Sequence, residues 1–161
     1  MKIGTFRRTK WDVAVESACR EWEGTKYKLN RSTVGVGVDC LHFAASILDR
    51  MYGSEHGQGL ASLPPDACIH NRVGVRKAAR ELFEKYPGIK RVKDRSVEAG
   101  DLILFGLEGC LGSTQHLKVA GSDSRLWHAT PPSVHYTGLV SPEGLKLVCT
   151  YRASDKEKWS C

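Results

Sequence analysis

The sequence predicts an α+β domain, with N-terminal helices packed on an antiparallel sheet of about five strands. Three observations carry this prediction. Apolar residues recur at helical spacing through the first half of the chain. The second half changes to short β-prone runs. Gly, Ser, Asp or Pro separates those runs, so helices come first and a meander of strands follows.

The first helix is expected over 9–22, where Trp11, Val15, Ala18, Cys19 and Trp22 share one stripe. Thr9, with Asp12 three residues on, is a capping arrangement. Gly24, Gly35 and Gly37 then mark a loop that can approach something closely. A second helix is expected over 40–52, with Phe43, Ala44, Ile47, Leu48 and Met51 as its stripe and Gly53 as its stop. Gly57, Gly59, Pro64 and Pro65 make the next segment a loop. A third helix fits 71–86, through Val75, Ala78, Ala79, Leu82, Phe83 and Tyr86, and Pro87–Gly88 ends it. The strand-like runs are "DLILFG", "HLKVAG", "RLWHAT", "VHYTGLV" and "LKLVCTYR". With no repeat, low-complexity tract or linker, 1–161 reads as one domain.

Composition narrows the class. The chain has 161 residues, 41% of them hydrophobic, which suits one core and excludes wholesale disorder. No uninterrupted apolar run approaches the roughly 20 residues of a membrane-spanning helix. The opening "MKIGTFRRTKWD" lacks an apolar segment and does not read as a secretory signal. The net charge of +6 is scattered and reads as a solvated basic surface, or as attraction to a polyanion such as an anionic cell-wall polymer. Nucleic acid is not expected, because no RNP, zinc-finger or helix-turn-helix signature is present. The six cysteines are widely spaced and none forms a CxxC pair, so reduced thiols are expected. Cys149, in a strand-like apolar context, is expected to be buried and inert.

Cys40 stands apart. It begins the second helix behind Asp39, a natural N-cap. Unpaired backbone N–H groups and the helix dipole stabilise a thiolate there. Asp39 opposes the thiolate by charge, so a cationic partner is needed. His116 opens one strand-like run and His128 lies in the next, around the turn "GSDS". A hairpin would lay the two rings side by side. Cys40 as nucleophile, His116 as base and His128 behind it would form a Cys-His-His triad.

These residues and their order resemble the NlpC/P60 cysteine peptidases of the papain-like superfamily. "GTKY" at 24–27 resembles the family's Gly-Thr-Pro-Tyr element, and "GVDCLHF" at 37–43 its Asp-Cys-Ser-Gly-Phe nucleophile motif. "EAGDLILF" at 98–105 resembles the Pro-Gly-Asp-Leu strand, His116 the base, and "LWHA" at 126–129 the third polar residue. The "GVDCL" form and the short chain resemble most the phage-encoded, tail-associated branch, which implies phage tail proteins as partners.

The resemblance implies a papain-like fold and hydrolysis of peptidoglycan stem peptides, usually between γ-D-glutamate and a diamino acid, with no cofactor. It implies Cys40 as nucleophile, His116 as general base and His128 as its orienting group. It implies Tyr27 as a wall of the site that helps hold the oxyanion, and Asp39 as a group that binds a substrate amine. There are departures from the family pattern. Its serine and glycine after the nucleophile are Leu41 and His42, its proline is Lys26, and its Val-Gly-Ile-Tyr is Leu117-Lys118-Val119-Ala120.

Those departures keep other functions in view. One is an inactive papain-like module that binds cell wall or phage tail. Another is an amidase or acyltransferase on a different substrate. Metal binding by Cys110, His116, His128 and His135 is disfavoured, because spacings of six, twelve and seven match no zinc template.

Overall fold

The structure, a computed structural model, describes residues 9–52, 63, 79–81, 83–84, 88–93, 96–107, 116–122, 125–138 and 145–153. At 52, 106, 107, 116, 117, 145–149 and 153 it describes the backbone alone. Cys68, Cys110, Cys161 and most of the expected 71–86 helix lie outside the described residues. Within that segment 79–81 and 83–84 are helical, and Ala79 and Phe83 are buried.

Helix α1 spans Lys10–Arg20 and begins with the expected capping box. The Asp12 N–H donates to Thr9 Oγ1 at 3.1 Å, and the Thr9 N–H donates to Asp12 Oδ2 at 2.8 Å. Trp11, Val15, Ala18 and Cys19 are buried as the stripe predicts. The helix stops at Arg20, and Trp22 is buried from the turn that follows. Glu16, a carboxylate among apolar neighbours, is buried too. Trp127 Nε1, Arg125 Nη1 and the N–H and hydroxyl of Ser122 all donate to it. Burial alone would raise its carboxyl pKa. The bonds from Trp127, Ser122 and Arg125 outweigh burial and hold it below the ordinary range.

A short hairpin follows, β1 (Ser32–Thr33) and β2 (Gly37–Val38). Helix α2 then spans Cys40–Tyr52 as predicted. Its apolar surface is wider than the predicted stripe, because Leu41 and Ala45 are also fully buried. A helix apolar on most sides must be central. α2 accordingly packs against α1 on one side and the sheet on the other. Trp22 meets Phe43 edge-on, with centroids 6.3 Å apart.

The remaining strands are β3 (Ile89–Val92), β4 (Leu102–Leu107), β5 (His116–Ala120), β6 (Arg125–Thr130), β7 (Ser133–Gly138) and β8 (Leu145–Ala153). They form one antiparallel sheet in the order β3-β8-β4-β5-β6-β7. Among the described residues the sheet thus has six strands, one beyond the five strand-like runs read from the sequence. The missed strand, β3, is an edge strand whose central Lys90 and Arg91 are exposed, so it shows no apolar run. Charge on an edge discourages further strand pairing. The meander is also incomplete: β8 returns to lie beside β4 instead of following β7.

The β4–β8 pair is locked by Asp101, at the start of β4. Arg152 Nε and Nη2 donate to its two oxygens at 2.9 and 2.8 Å, and the Glu98 N–H adds a bond at 2.8 Å. Asp101 is fully buried, whereas the Arg152 side chain is 19% exposed. Arg152→Met should therefore cost about 2–3 kcal/mol, below the full penalty for an orphaned buried charge. Urea unfolding would measure it, and an unchanged midpoint would refute the role assigned to the pair.

Candidate active site

Cys40 is the first residue of α2 and is 6% exposed. Its setting is dictated by Asp39, which is fully buried. Asp39 Oδ1 accepts the N–H groups of Leu41 and His42 at 3.0 and 2.9 Å, capping the helix. Asp39 Oδ2 accepts the Asn30 N–H at 2.7 Å and lies 2.8 Å from His42 Nδ1. A carboxylate only accepts, so this ring nitrogen carries the proton. Burial alone would raise the Asp39 carboxyl pKa. The side-chain and backbone hydrogen bonds of His42, its charge and the Asn30 N–H hold it below its ordinary value of 3.8.

The contact of His42 with Asp39 is not among the sequence-based expectations. The spacing of three residues from an N-cap acid was its readable signal. The hydroxyl of Ser46 donates to the His42 carbonyl at 2.7 Å, one turn on.

A backbone tie fixes where the Cys40 end of α2 lies. The Lys28 N–H donates to the Val38 carbonyl, and the Val38 N–H to the Lys26 carbonyl, each at 3.0 Å. Tyr27 forms a parallel bridge with Val38, and Lys26 an antiparallel bridge with Ser133. The Tyr27 N–H donates to the Pro132 carbonyl at 3.0 Å. Pro132 lies in the turn between β6 and β7. The entry to α2 is thus stitched to the end of the sheet where β6 finishes.

β5 and β6 run antiparallel, with Val119 opposite Trp127 and Ala120 opposite Leu126. The start of β5, His116, therefore lies at the same end as the finish of β6. Tyr27 and the entry to α2 lie at that end with the start of β5, and His128 stands two residues before the end of β6. The His116 backbone is the register partner of Phe105. His128 is fully buried and pairs with His135 of β7. It alternates with Trp127 and Ala129, which face the helices beside Cys40, so it stands on the opposite side of β6 from them. Tyr27 is partly buried against the main core, and Trp127 lies within that core.

Cys19 is the other free thiol among the described residues and is buried. Burial and the Glu16 charge push its pKa well above the ordinary thiol value. Among the described residues no cluster of His, Cys, Asp and Glu is arranged to hold a metal ion. No described helix is long and apolar enough to cross a membrane.

No protein-family model matches the chain, and no curated protein sequence matches it. Solved structures do resemble it. An NLP/P60 family lipoprotein-like protein from Staphylococcus aureus aligns with 95% of this chain and 45% of its own, at 18% identity and a TM-score of 0.56. An NlpC/P60 family protein from Bacillus cereus aligns with 89% of this chain and 40% of its own, at 18% identity and a TM-score of 0.61. NlpC1 from Trichomonas vaginalis aligns with 96% of this chain and 48% of its own, at 15% identity and a TM-score of 0.60. The chain spans less than half the length of these three structures. Helix α2, packed between α1 and an antiparallel sheet, together with these likenesses gives the chain the papain-like fold of the NlpC/P60 proteins.

Proposed function

We propose that the protein is a cysteine peptidase that hydrolyses amide bonds in peptidoglycan stem peptides, of the γ-D-glutamyl–diamino acid type. One observation carries this reading. The capped N-terminus of α2, bearing Cys40, is tied through 26–28 to the end of the sheet where β5 begins at His116 and β6 ends beyond His128. The NlpC/P60 fold agrees with it.

In this mechanism His116 takes the Cys40 proton and the thiolate attacks the stem-peptide carbonyl. The helix N-terminus favours the sulfur anion. The Cys40 backbone N–H, with Tyr27, holds the oxyanion. Collapse of the intermediate breaks the C–N bond, and His116 passes its proton to the leaving amine. Water then attacks the thioester while His116 accepts its proton, which returns to sulfur as the carboxylate leaves. His128 orients the His116 ring. Asp39 acts here by fixing the helix entry. It is fully buried, so a substrate amine would reach it only by displacing His42.

The test is a digest of purified muropeptides read by mass spectrometry. Products one hydrolysed amide smaller identify both the activity and the bond. No cleavage across diaminopimelate- and lysine-containing muropeptides would refute it.

A second reading is a cell-wall or phage-tail binding module without turnover. It is favoured by Lys118, fully buried where the family pattern has glycine. Sedimentation with intact sacculi, without product formation, would select that reading.

A further inference from the structure

Of the five large apolar side chains exposed among the described residues, three fall within 29–36. Leu29 and Val34 are each 50% exposed and Val36 52%. Single exposed apolar side chains are ordinary, whereas a cluster marks a surface with a use. This cluster belongs to a small platform ahead of Cys40. β2 is its middle, with β1 on one side and 26–28 on the other. Val38 lies in the main core and Tyr27 packs against it, so that face is covered. Lys26 and Lys28 alternate with Tyr27 and leave by the outer face. The Lys28 stem crosses Gly37, where an added Cβ would lie 2.6 Å from Lys28 Cδ. The tip is a turn in which the Val36 N–H donates to the Thr33 carbonyl at 3.0 Å, with Gly35 at a φ of +74°. The Gly35 N–H donates to Thr25 Oγ1 at 3.0 Å and ties the tip beside Lys26. The two valines are thus fixed in exposed positions.

The same segment is basic. Lys26, Lys28 and Arg31 are exposed, and no ion pair engages them among the described residues. No acidic residue occurs over 24–38. Asp39, which follows, is buried and occupied as the cap of α2. Three cations and three aliphatic side chains therefore share one exposed stretch of eleven residues, 26–36.

We propose that 26–36 docks on a membrane surface rich in anionic phospholipid. Lys26, Lys28 and Arg31 meet the headgroup phosphates, and Leu29, Val34 and Val36 enter the acyl boundary beneath them. The combination selects this partner. A soluble polyanion would satisfy the cations and leave three aliphatic side chains in water. A purely apolar partner would strip water from three unpaired cations. A lipid interface offers phosphate and hydrocarbon side by side, and lysine stems can lie in the second while their ammonium groups reach the first. The contact is peripheral, made by side chains of a hairpin, and needs no spanning helix. Because β2 leads directly through Asp39 into α2, docking would hold the Cys40 end of that helix close to the bilayer.

Co-sedimentation of the whole chain with lipid vesicles tests the proposal. Binding is expected to phosphatidylcholine vesicles carrying about 30% phosphatidylglycerol, and little to phosphatidylcholine alone. Raising salt from about 0.05 to 0.5 M should weaken it at least tenfold, as screening shortens the reach of the charges. Lys28→Gln and Arg31→Gln should each cost about fivefold, the share of one basic residue at such a surface. Val34→Ser combined with Val36→Ser should cost about tenfold through lost apolar insertion. Those valine substitutions should leave any binding to inorganic polyphosphate unchanged. All of these positions are exposed, and thermal melts report whether each variant folds. No binding to the anionic vesicles overturns the proposal. Vesicle binding that the valine substitutions leave unchanged also overturns it, and assigns the cations to a soluble polyanion. A lipid-free dimer that the valine substitutions dissolve would assign the patch to a second copy of the chain, and overturns it too. Vesicle binding is read without muropeptide, so it stands or falls separately from the peptidase reading.

Discussion

Cys40→Ala is expected to lower muropeptide cleavage by at least about 10⁴-fold, the scale seen when a thiol or hydroxyl nucleophile is deleted, with little effect on folding. The contrast between activity and stability is what makes the prediction specific. Replacing one nearly buried sulfur by hydrogen should cost about 1 kcal/mol or less. The sulfur owes its proposed reactivity to its position. It begins a 13-residue helix, next to N–H groups that Asp39 holds in a fixed direction. Cys19 offers an internal control, because burial and the Glu16 charge keep it protonated. At neutral pH, iodoacetamide should label Cys40 ahead of Cys19, read by peptide mass spectrometry. Tyr27→Phe should cost less, about 10²–10³-fold, as loss of one oxyanion donor does. Undiminished turnover by Cys40→Ala would end the thiol mechanism.

What the sequence revealed, and what it hid, divides along a physical line. Local signals were legible. The capping box at Thr9 and Asp12 satisfies amides within one turn, so four residues suffice to read it. The bounds of α2 follow from a 13-residue apolar segment between an N-cap acid and Gly53. Non-local pairings were not legible. Glu16 appears as a polar interruption of the α1 stripe, because the Trp127 and Arg125 that neutralise its burial lie more than a hundred residues away. The return of β8 beside β4 leaves no trace in either strand's own pattern. The site shows the same split. Cys40 at a helix start is a local inference. Its placement at the β6 end of the sheet depends on Lys26, Tyr27 and Pro132, whose contribution is made by backbone and carries no residue signature. The nearness of His135 to His128 was readable in principle, since a two-residue Pro131–Pro132 turn sets their register.

Asp39→Ala should be the most destabilising single change near the site, by about 3–5 kcal/mol, and should reduce activity in whatever fraction stays folded. Four donors lose their acceptor at once: the N–H groups of Leu41, His42 and Asn30, and His42 Nδ1. Loss of the cap alone costs about 1–2 kcal/mol. Each donor left buried adds about 1–3 kcal/mol, reduced where water can enter the space vacated. Asp39→Asn keeps one acceptor oxygen but turns an amide N–H₂ toward a donor, so about 2 kcal/mol is expected. The pH dependence separates this from simple loss of packing. The folded carboxyl titrates below its ordinary 3.8, so the unfolded chain binds the proton more tightly. Its contribution is fully present above that value and is lost as pH falls through the lower folded one. The stability gap between wild type and Asp39→Ala should therefore narrow toward pH 3, while Glu16, also held low, keeps some acid sensitivity in both. Urea midpoints from pH 7 to 3 would measure it. A gap constant across that range would mean that Asp39 stabilises the entry to α2 by shape and not as a charged cap, and the fixed direction assigned to Cys40 would lose its electrostatic basis.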